Sequence, residues 1–493
     1  MIFASRLLSV MTGMIFTLFI TVNATREQYG VWTNVFDIVG YFALLSAVLP
    51  FWTMRFVARG EEGAAKTGIV GNLLIGLLST VIYLPLVSLI TWSVGVSESH
   101  PELVILYFVV SAHIVELYVL NACEACLRSQ RPQAIGYGLL IEETCKISLT
   151  YLLMVRFHLG LAGVMISFVT AILVQIIYYT TILARSLRQK IQWNLVREWL
   201  KGSVANIYNA GGIQLSAFVF ILLFKFGGEI AKGDYGAAAT IANIITYSFF
   251  LSFALYPKLL TNDGFKEVTT SLKLVLMFAI PMTVGAMAMP KSFLIILNPE
   301  YVEAAPVLFL LALDAFWATL ATFFSSVLFG AERFDEKAKI PFKRLIRSNI
   351  FKTFTLTYVH SFIALPTVFF VLTSFKLEPY QAALCVTAIN TATRFAMFII
   401  LCLILRNAVK IRIPWRNIMK YCLSAIPMAI LLYVLPQVPK ESSTFVRATL
   451  GLAGAGVGGI LYLALLMLID KDARALVKYA LFEIRNSLRP KAS

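Results

Sequence analysis

The sequence predicts an all-α polytopic membrane protein of about 14 transmembrane helices, two pseudo-symmetric six-helix lobes plus two C-terminal helices around a central cavity. Three observations predict it. Apolar residues make up 59% of the 493 residues and charged residues only 14%, against about 45–50% and about 25% in soluble domains, and the mean hydropathy is +0.80. Apolar runs of about 20 residues, the length that crosses a bilayer as a helix, recur along nearly the whole chain. Finally, Arg26-Glu27-Gln28-Tyr29-Gly30-Val31-Trp32 has an echo in Lys232-Gly233-Asp234-Tyr235-Gly236-Ala237-Ala238, offset by 206 residues and likewise set between apolar runs.

The first six spans are expected near Phe3–Val22, Trp32–Met54, Gly68–Trp92, Leu103–Glu124, Ala134–Met154 and Gly160–Ala184. A second six follow near Gly202–Phe226, Ala237–Tyr256, Thr270–Met289, Pro306–Phe329, Thr353–Ser374 and Tyr380–Leu405, and a last pair near Cys422–Leu435 and Phe445–Ile469. The first run lacks a signal-peptide cleavage pattern and reads as a span. The chain divides accordingly into lobe 1–200, lobe 201–410, and 411–493 with the additional pair and an amphipathic tail.

Sidedness follows from the basic residues. Of the 42 Lys and Arg, 32 fall in segments on the side of the two termini, 7 on the other side and 3 (Lys146, Arg394, Arg447) inside spans. Cytoplasmic loops carry the Lys/Arg excess, so both termini are expected in the cytoplasm, with the chain multi-pass in the cell membrane. The net charge of +16 is then a topology signal. Its dispersal over many loops with no recognition motif excludes nucleic acid. Leu187, Ile191, Leu195, Val196 and Trp199 share a face ringed by Arg188, Lys190, Arg197 and Lys201, and Leu476, Tyr479, Ala480 and Ile484 do the same after the last span; both read as helices on the anionic inner surface. For 410–420 a solvated linker is an equal reading.

Two more landmarks support the repeat: Pro50 with Pro257 at an offset of 207, and Leu127–Arg131 with Phe329–Arg333 at 202. Halves with an even number of spans are parallel repeats about an axis along the membrane normal, with a cavity between the bundles. The Tyr-Gly pairs read as tight turns at the outer tip of the first hairpin of each half, where glycine relieves backbone strain.

The Glu27–Trp32 stretch, the basic end of the second span at Pro50–Arg59, and above all Leu297-Asn298-Pro299-Glu300-Tyr301-Val302-Glu303-Ala304-Ala305-Pro306-Val307-Leu308 resemble the polysaccharide-export lipid flippases of the multidrug/oligosaccharidyl-lipid/polysaccharide exporter superfamily. The resemblance extends through the last span. It implies two six-helix lobes facing a central cavity, and alternating access in which a lipid-linked sugar is turned over with its tail in the bilayer. Lipid II flippases of that superfamily carry several arginines in the first two spans. Here the first has only Arg6 and the second only Arg55, which argues against lipid II.

Charges inside a membrane are costly and mark functional sites by default. His113 and Glu116 lie three residues apart on the fourth span, and Glu142, Glu143 and Lys146 cluster on the fifth. Glu116, Glu142 and Glu143 are candidate coupling sites for H+ or Na+, and Lys146 or His113 for a substrate phosphate; the competing reading is a neutral polar cluster that pins two helices. Arg394 in Asn390-Thr391-Ala392-Thr393-Arg394 is the candidate pyrophosphate ligand, since guanidinium binds phosphate bidentately. Its alternative is an ion pair with Asp314, itself a coupling candidate. Arg55 would assist at the cytoplasmic mouth, Asn390 would bind substrate beside Arg394, and Asn209 would reach sugar hydroxyls or, equally, hydrogen-bond a neighbouring helix.

Other motifs are read as structure. Asp37 is expected as a hydrated carboxylate near the outer interface, His360 as a packed residue, and Asn206, Gln214 and Asn243 as interhelical or sugar-facing groups. Asp470-Lys471-Asp472 reads as a solvated helix end rather than a sugar-nucleotide DxD, and Asn23-Ala24-Thr25 as a sequon too close to the membrane for use. The six cysteines all lie in or beside apolar runs, and the lone Cys123-Glu124-Ala125-Cys126 reads as helix packing, with no metal site.

No nucleotide-binding loop or catalytic motif is present. The sequence is therefore read as a transporter with no cofactor, a flippase moving a polyprenyl- or dolichyl-(pyro)phosphate-linked oligosaccharide or polysaccharide precursor across the bilayer, with glycosyltransferases as neighbours. Two other readings stay open: a cation-coupled multidrug exporter of the same fold, and a membrane glycosyltransferase or polymerase, which would need catalytic carboxylates in a large outer loop.

Overall fold

Runs of leucine, isoleucine, valine and phenylalanine with few breakers satisfy every backbone group only as helices once water is removed. In the computed structural model, residues 2–252, 265–331, 348–409, 411–436, 438–471 and 473–475 are described, and no strand occurs among them. The helices are α1 (Ile2–Asn23), α2 (Arg26–Phe42), α3 (Val48–Ala58), α4 (Ala64–Val94), α5 (Val104–Gln130), α6 (Pro132–Thr150), α7 (Gly160–Ile182), α8 (Trp193–Gly202), α9 (Val204–Leu222), α10 (Glu229–Thr246), α11 (Phe265–Ala288), α12 (Pro290–Leu297), α13 (Ala305–Ala331), α14 (Asn349–Ser374), α15 (Pro379–Ala408), α16 (Trp415–Val434) and α17 (Thr444–Ile469). Shorter turns connect them.

Among the described residues ten helices are long and apolar enough to cross a membrane: α4, α5, α7, α9, α11 and α13–α17. Four more segments complete the 14-span pattern. These are α1, the broken pair α2 and α3, α6 with Glu142, Glu143 and Lys146, and α10 with Glu229, Lys232 and Asp234. Large apolar side chains stand exposed along α4, α14 and α17, Val81 at 65% and Ile460 at 70%. Such faces fit a lipid surround. The chain is a multi-pass membrane protein.

The structure departs from expectation at both ends of α2. The polar stretch at Arg26 is the first turn of α2 and no loop: Thr25 accepts a hydrogen bond from Gln28 N at 3.3 Å while Gln28 Oε1 accepts from Thr25 N at 3.2 Å, a capping box. The chain turns at Ala24–Thr25, and Tyr29–Gly30 and Tyr235–Gly236 lie inside α2 and α10. Second, the predicted span Trp32–Met54 is broken at 43–47. The break is held by its neighbours: Asn72 Nδ2 donates to Ser46 O at 2.9 Å and Tyr118 O at 2.6 Å, and Tyr118 Oη donates to Phe42 O at 2.9 Å. Backbone groups released by the interruption thus find partners without water.

The chain forms two compact units, Met1–Thr240 with Phe334–Met397, and 241–333 with 398–493. In the first, α4, α5 and α7 pack together, α6 packs on α7 and α1, and α9 packs on α14 and α2. A buried cluster of Leu49, Trp52, Cys123, Cys126, Tyr179 and Trp199 ties α3, α5, α7 and α8. As expected, Cys123 and Cys126 serve as small core residues, and all six cysteines are free. Of the expected amphipathic face only Leu195, Val196 and Trp199 fall on α8, where Leu195 and Trp199 are buried in that core cluster and Arg197 and Lys201 are exposed; Leu187 and Ile191 precede the helix, because the chain breaks at 188–192. The tail from Leu476, Lys410, Pro257 and Arg333 lie outside the described residues.

In the second unit α11 packs on α13 and α16, and α17 packs on α16 and α12. The Asn-Pro-Glu-Tyr segment is a 3-10 turn, Pro299–Ala304, in which Asn298 Oδ1 accepts from Glu300 N at 3.1 Å and Tyr301 is buried. Its chemistry is that of a helix cap. Asp470 differs from the solvated end expected of it: it is 2% exposed and accepts from Asn417 Nδ2 at 3.0 Å, with Lys420 Nζ 3.5 Å away, so it ties α17 to α16.

Candidate functional site

The fifth-span charges form one triad. Lys146 Nζ lies 2.9 Å from Glu142 Oε1 and 2.9 Å from Glu143 Oε2, because residues three and four positions earlier on a helix share its face. Ser9 of α1 donates to Glu143 Oε1 at 2.6 Å. All three charged residues are buried. Two carboxylates and one ammonium, with every group ionised, leave a single negative charge inside the unit.

His113 and Glu116 make a second pair on α5, His113 Nδ1 to Glu116 Oε2 at 3.3 Å, both buried. They do not merge with the triad into one hydrogen-bonded cluster; aromatic rings link the two. Lys146 Nζ sits 5.3 Å from the Phe16 centroid, Phe16 stacks on Phe168 at 6.3 Å, and Phe168 meets the His113 ring edge-on at 4.8 Å. Phe36 and Trp32 extend the ring group from α2. Sequence reasoning missed these aromatics, since a ring at helical spacing looks like any core residue.

A third group lies on α14 and α15. His360 Nδ1 is 3.1 Å from Ser216 Oγ of α9, and Asn390, 3% exposed, lies beside the same imidazole. Arg394, half-buried one turn further along α15, lies on the same side of the helix near His360. Asn390, His360 and Arg394 make up this third group, of which the sequence singles out Asn390 and Arg394 for binding and reads His360 as packing. Asp314 is 5% exposed on α13, in the second unit.

Arg55 lies over the Phe51 ring, 3.6 Å from its centroid, and donates to Phe51 O at 3.3 Å. Asn209 and Asn206 are half-buried on α9, Asn243 is exposed, and Gln214 is used structurally, its Oε1/Nε2 end packed at Gly40 and its carbonyl accepting from Tyr41 Oη at 3.0 Å. Asp37 departs from expectation: it is an ion-pair partner of Lys232, with Oδ2 to Nζ at 2.5 Å. A carboxylate on α2 and a lysine on α10 could be matched only through the tertiary fold.

These helices and their order define the class: a polytopic α-helical membrane protein. Solved structures with this fold include a multidrug resistance MATE family transporter of the MOP superfamily in its inward-facing conformation, with TM-score 0.62 and 13% identity over 81% of this chain and 95% of that one. The lipid II flippase MurJ, inward closed, aligns with TM-score 0.66 and 15% identity over 96% of this chain and 99% of that one. A MATE structure in the straight conformation gives 0.55 and 14%, over 81% and 93%. No protein-family model and no curated protein matches the sequence. At these identities the likeness is one of fold.

Proposed function

We propose that this chain is a flippase that moves a lipid-linked oligosaccharide or polysaccharide precursor from the cytoplasmic to the outer leaflet by alternating access. The carrier is a polyprenyl or dolichyl (pyro)phosphate, and both termini face the cytoplasm of the cell membrane. Lobes 1–200 and 201–410 act as the two repeats, with 411–493 as an addition. The observation that carries the reading is the buried Glu142–Lys146–Glu143 triad, in a fold that extends over nearly the full length of a lipid II flippase. Buried charge of this kind is expensive in a bilayer and is retained where ions or charged headgroups pass.

In this reading Arg394 contacts the (pyro)phosphate, with Asn390 and Asn209 on the sugar and Arg55 and His113 assisting. Lys146, already held by two carboxylates, becomes available to a phosphate when one of them takes up a proton. Glu116, Glu142, Glu143 and Asp314 are the coupling candidates for H+ or Na+. The membrane potential supplies about 2.3 kcal/mol per charge per 100 mV. Glycosyltransferases would supply the sugar.

The test is transport of a labelled lipid-linked sugar into the outer leaflet of vesicles. Arg394→Ala and Lys146→Ala are expected to abolish it, with Arg394→Lys only partly active because an ammonium lacks the bidentate fork. Transport that survives both alanine substitutions removes the site assignment. With all three groups ionised the triad is net negative, which favours a second reading, a cation-coupled multidrug exporter. Movement of cationic dyes without movement of lipid-linked sugars would select it.

A further inference from the structure

Arg26 and Lys232 hold the same place in the two halves, 206 residues apart, and each reaches a carboxylate on the other's helix. Arg26 Nε and Nη2 donate to Asp234 Oδ1 and Oδ2 at 2.9 and 2.5 Å, while Lys232 Nζ meets Asp37 Oδ2 at 2.5 Å. Near these pairs the backbones of α2 and α10 cross on bare glycine. A Cβ at Gly30 would fall 2.0 Å from Glu229 O, and one at Gly233 would fall 2.2 Å from Arg26 O. The connector 95–103 adds a third clamp at the start of α10: His100 Nε2 lies 3.0 Å from Glu229 Oε2, and Ser99 donates to Glu229 Oε1 at 2.5 Å. Glu102 Oε1 lies 3.1 Å from the other ring nitrogen of His100.

This contact adds two ion pairs to the close glycine approach that by itself suffices to pack two helices in a bilayer. The addition matters for parting. Interlocked apolar side chains would have to be drawn out into water, whereas ion pairs exchange one another for hydration at little net cost, since their joined state is worth little beyond the desolvation already spent. Each pair joins a partly exposed side chain to a buried one, Arg26 at 17% to Asp234 at 0% and Asp37 at 20% to Lys232 at 3%, so each has one member at the surface of the contact. The glycines then make the closed state selective, because only backbone-to-backbone register brings both charge pairs within reach together.

We infer that α2, the start of α10 and the connector 95–103 form an electrostatic latch that parts and re-forms in each transport cycle, one half of it drawn from each repeat. The inference rests on the transporter reading above and on the sidedness of the basic loops, which sets the latch on the outer face. The closed latch shuts that face, and passage of a headgroup to the outer leaflet requires Arg26–Asp234 and Lys232–Asp37 to separate.

The experiment has a locking arm and an opening arm. A Cβ at Gly236 lies 2.9 Å from Thr33 Cγ2, so cysteines at these positions stand within reach of the disulfide Cβ separation of about 3.5–4.5 Å. Thr33→Cys/Gly236→Cys protein in vesicles is expected to lose lipid-linked sugar transport about tenfold or more on oxidation and to regain it with dithiothreitol. Undiminished transport by fully disulfide-bonded protein overturns the latch. The second arm needs no substrate: Thr33→Cys is labelled on intact cells with a membrane-impermeant maleimide, read at residue 33 by peptide mass spectrometry so that the native cysteines stay in place. Adding Asp37→Asn and Asp234→Asn is expected to raise the labelling rate about tenfold, and the charge exchange Arg26→Asp/Asp234→Arg to bring it back towards the parent while an unfolded protein would not. An unchanged rate in the double Asn variant also overturns the latch. Failure of the reduced protein to move lipid-linked sugar, with the labelling response intact, would count against the substrate and leave the latch standing.

Discussion

Lys146 reaches back one turn of α6 to Glu143 at 2.9 Å, the same distance at which it holds Glu142. One ammonium therefore balances two buried carboxylates, and its removal leaves like charges side by side. Breaking a buried ion pair by deleting one partner costs about 3–5 kcal/mol. Lys146→Met is expected to lower the thermal midpoint of the purified protein by several degrees. Adding Glu142→Gln and Glu143→Gln to it should recover most of that loss; a triple variant as unstable as the single one would show that the triad does not set local stability.

The close approach at Gly30 gives a sharp contrast between glycines. Gly30→Ala puts a methyl group 2.0 Å from Glu229 O, whereas a Cβ at Gly459 meets nothing within 4 Å. Overpacking of a fitted contact costs about 1–3 kcal/mol. Gly30→Ala is expected to lower the midpoint while Gly459→Ala leaves it unchanged or slightly raised. Equal effects at both positions would contradict the crossing of α2 and α10.

Asn72 should matter more than a polar residue on an apolar helix normally does. Its amide feeds Ser46 O and Tyr118 O at the break between α2 and α3. An unsatisfied buried group costs about 1–3 kcal/mol, so Asn72→Leu should destabilise despite its better hydropathy. Asn72→Asp, ionised, has no hydrogen to offer either carbonyl and should not rescue. Thermal midpoints of the two variants check this.

Asn298→Ala tests the reading of the Asn-Pro-Glu-Tyr segment as a cap. Loss of the side-chain bond to Glu300 N should cost about 1 kcal/mol and speed amide exchange over 299–304, with transport retained. Abolished transport in a protein of unchanged stability would give Asn298 a role in binding.

The sequence by itself determined the membrane class, the positions of most spans and the membership of the triad. Hydropathy reports burial in lipid directly, and three and four residues along a helix bring side chains onto one face whatever surrounds them. It also holds the helix start: Thr25 and Gln28 stand at the spacing of a capping box, which begins α2 at Arg26.

Tertiary structure alone decided the rest. Pro50 cannot bond back to Ser46 O and so weakens the helix at Ala43–Ala47, but that the chain opens into a full break there depends on Asn72 and Tyr118, on other helices, which satisfy its carbonyls. Asp37 was read as hydrated because its partner, Lys232, lies 195 residues away in sequence. The cross-pairing of Arg26 with Asp234 is of the same kind. Apolar content reports what a segment is buried in, and local spacing what lies on one face, but the partner of a buried charge is fixed by which helices meet, and that is a property of the packed fold.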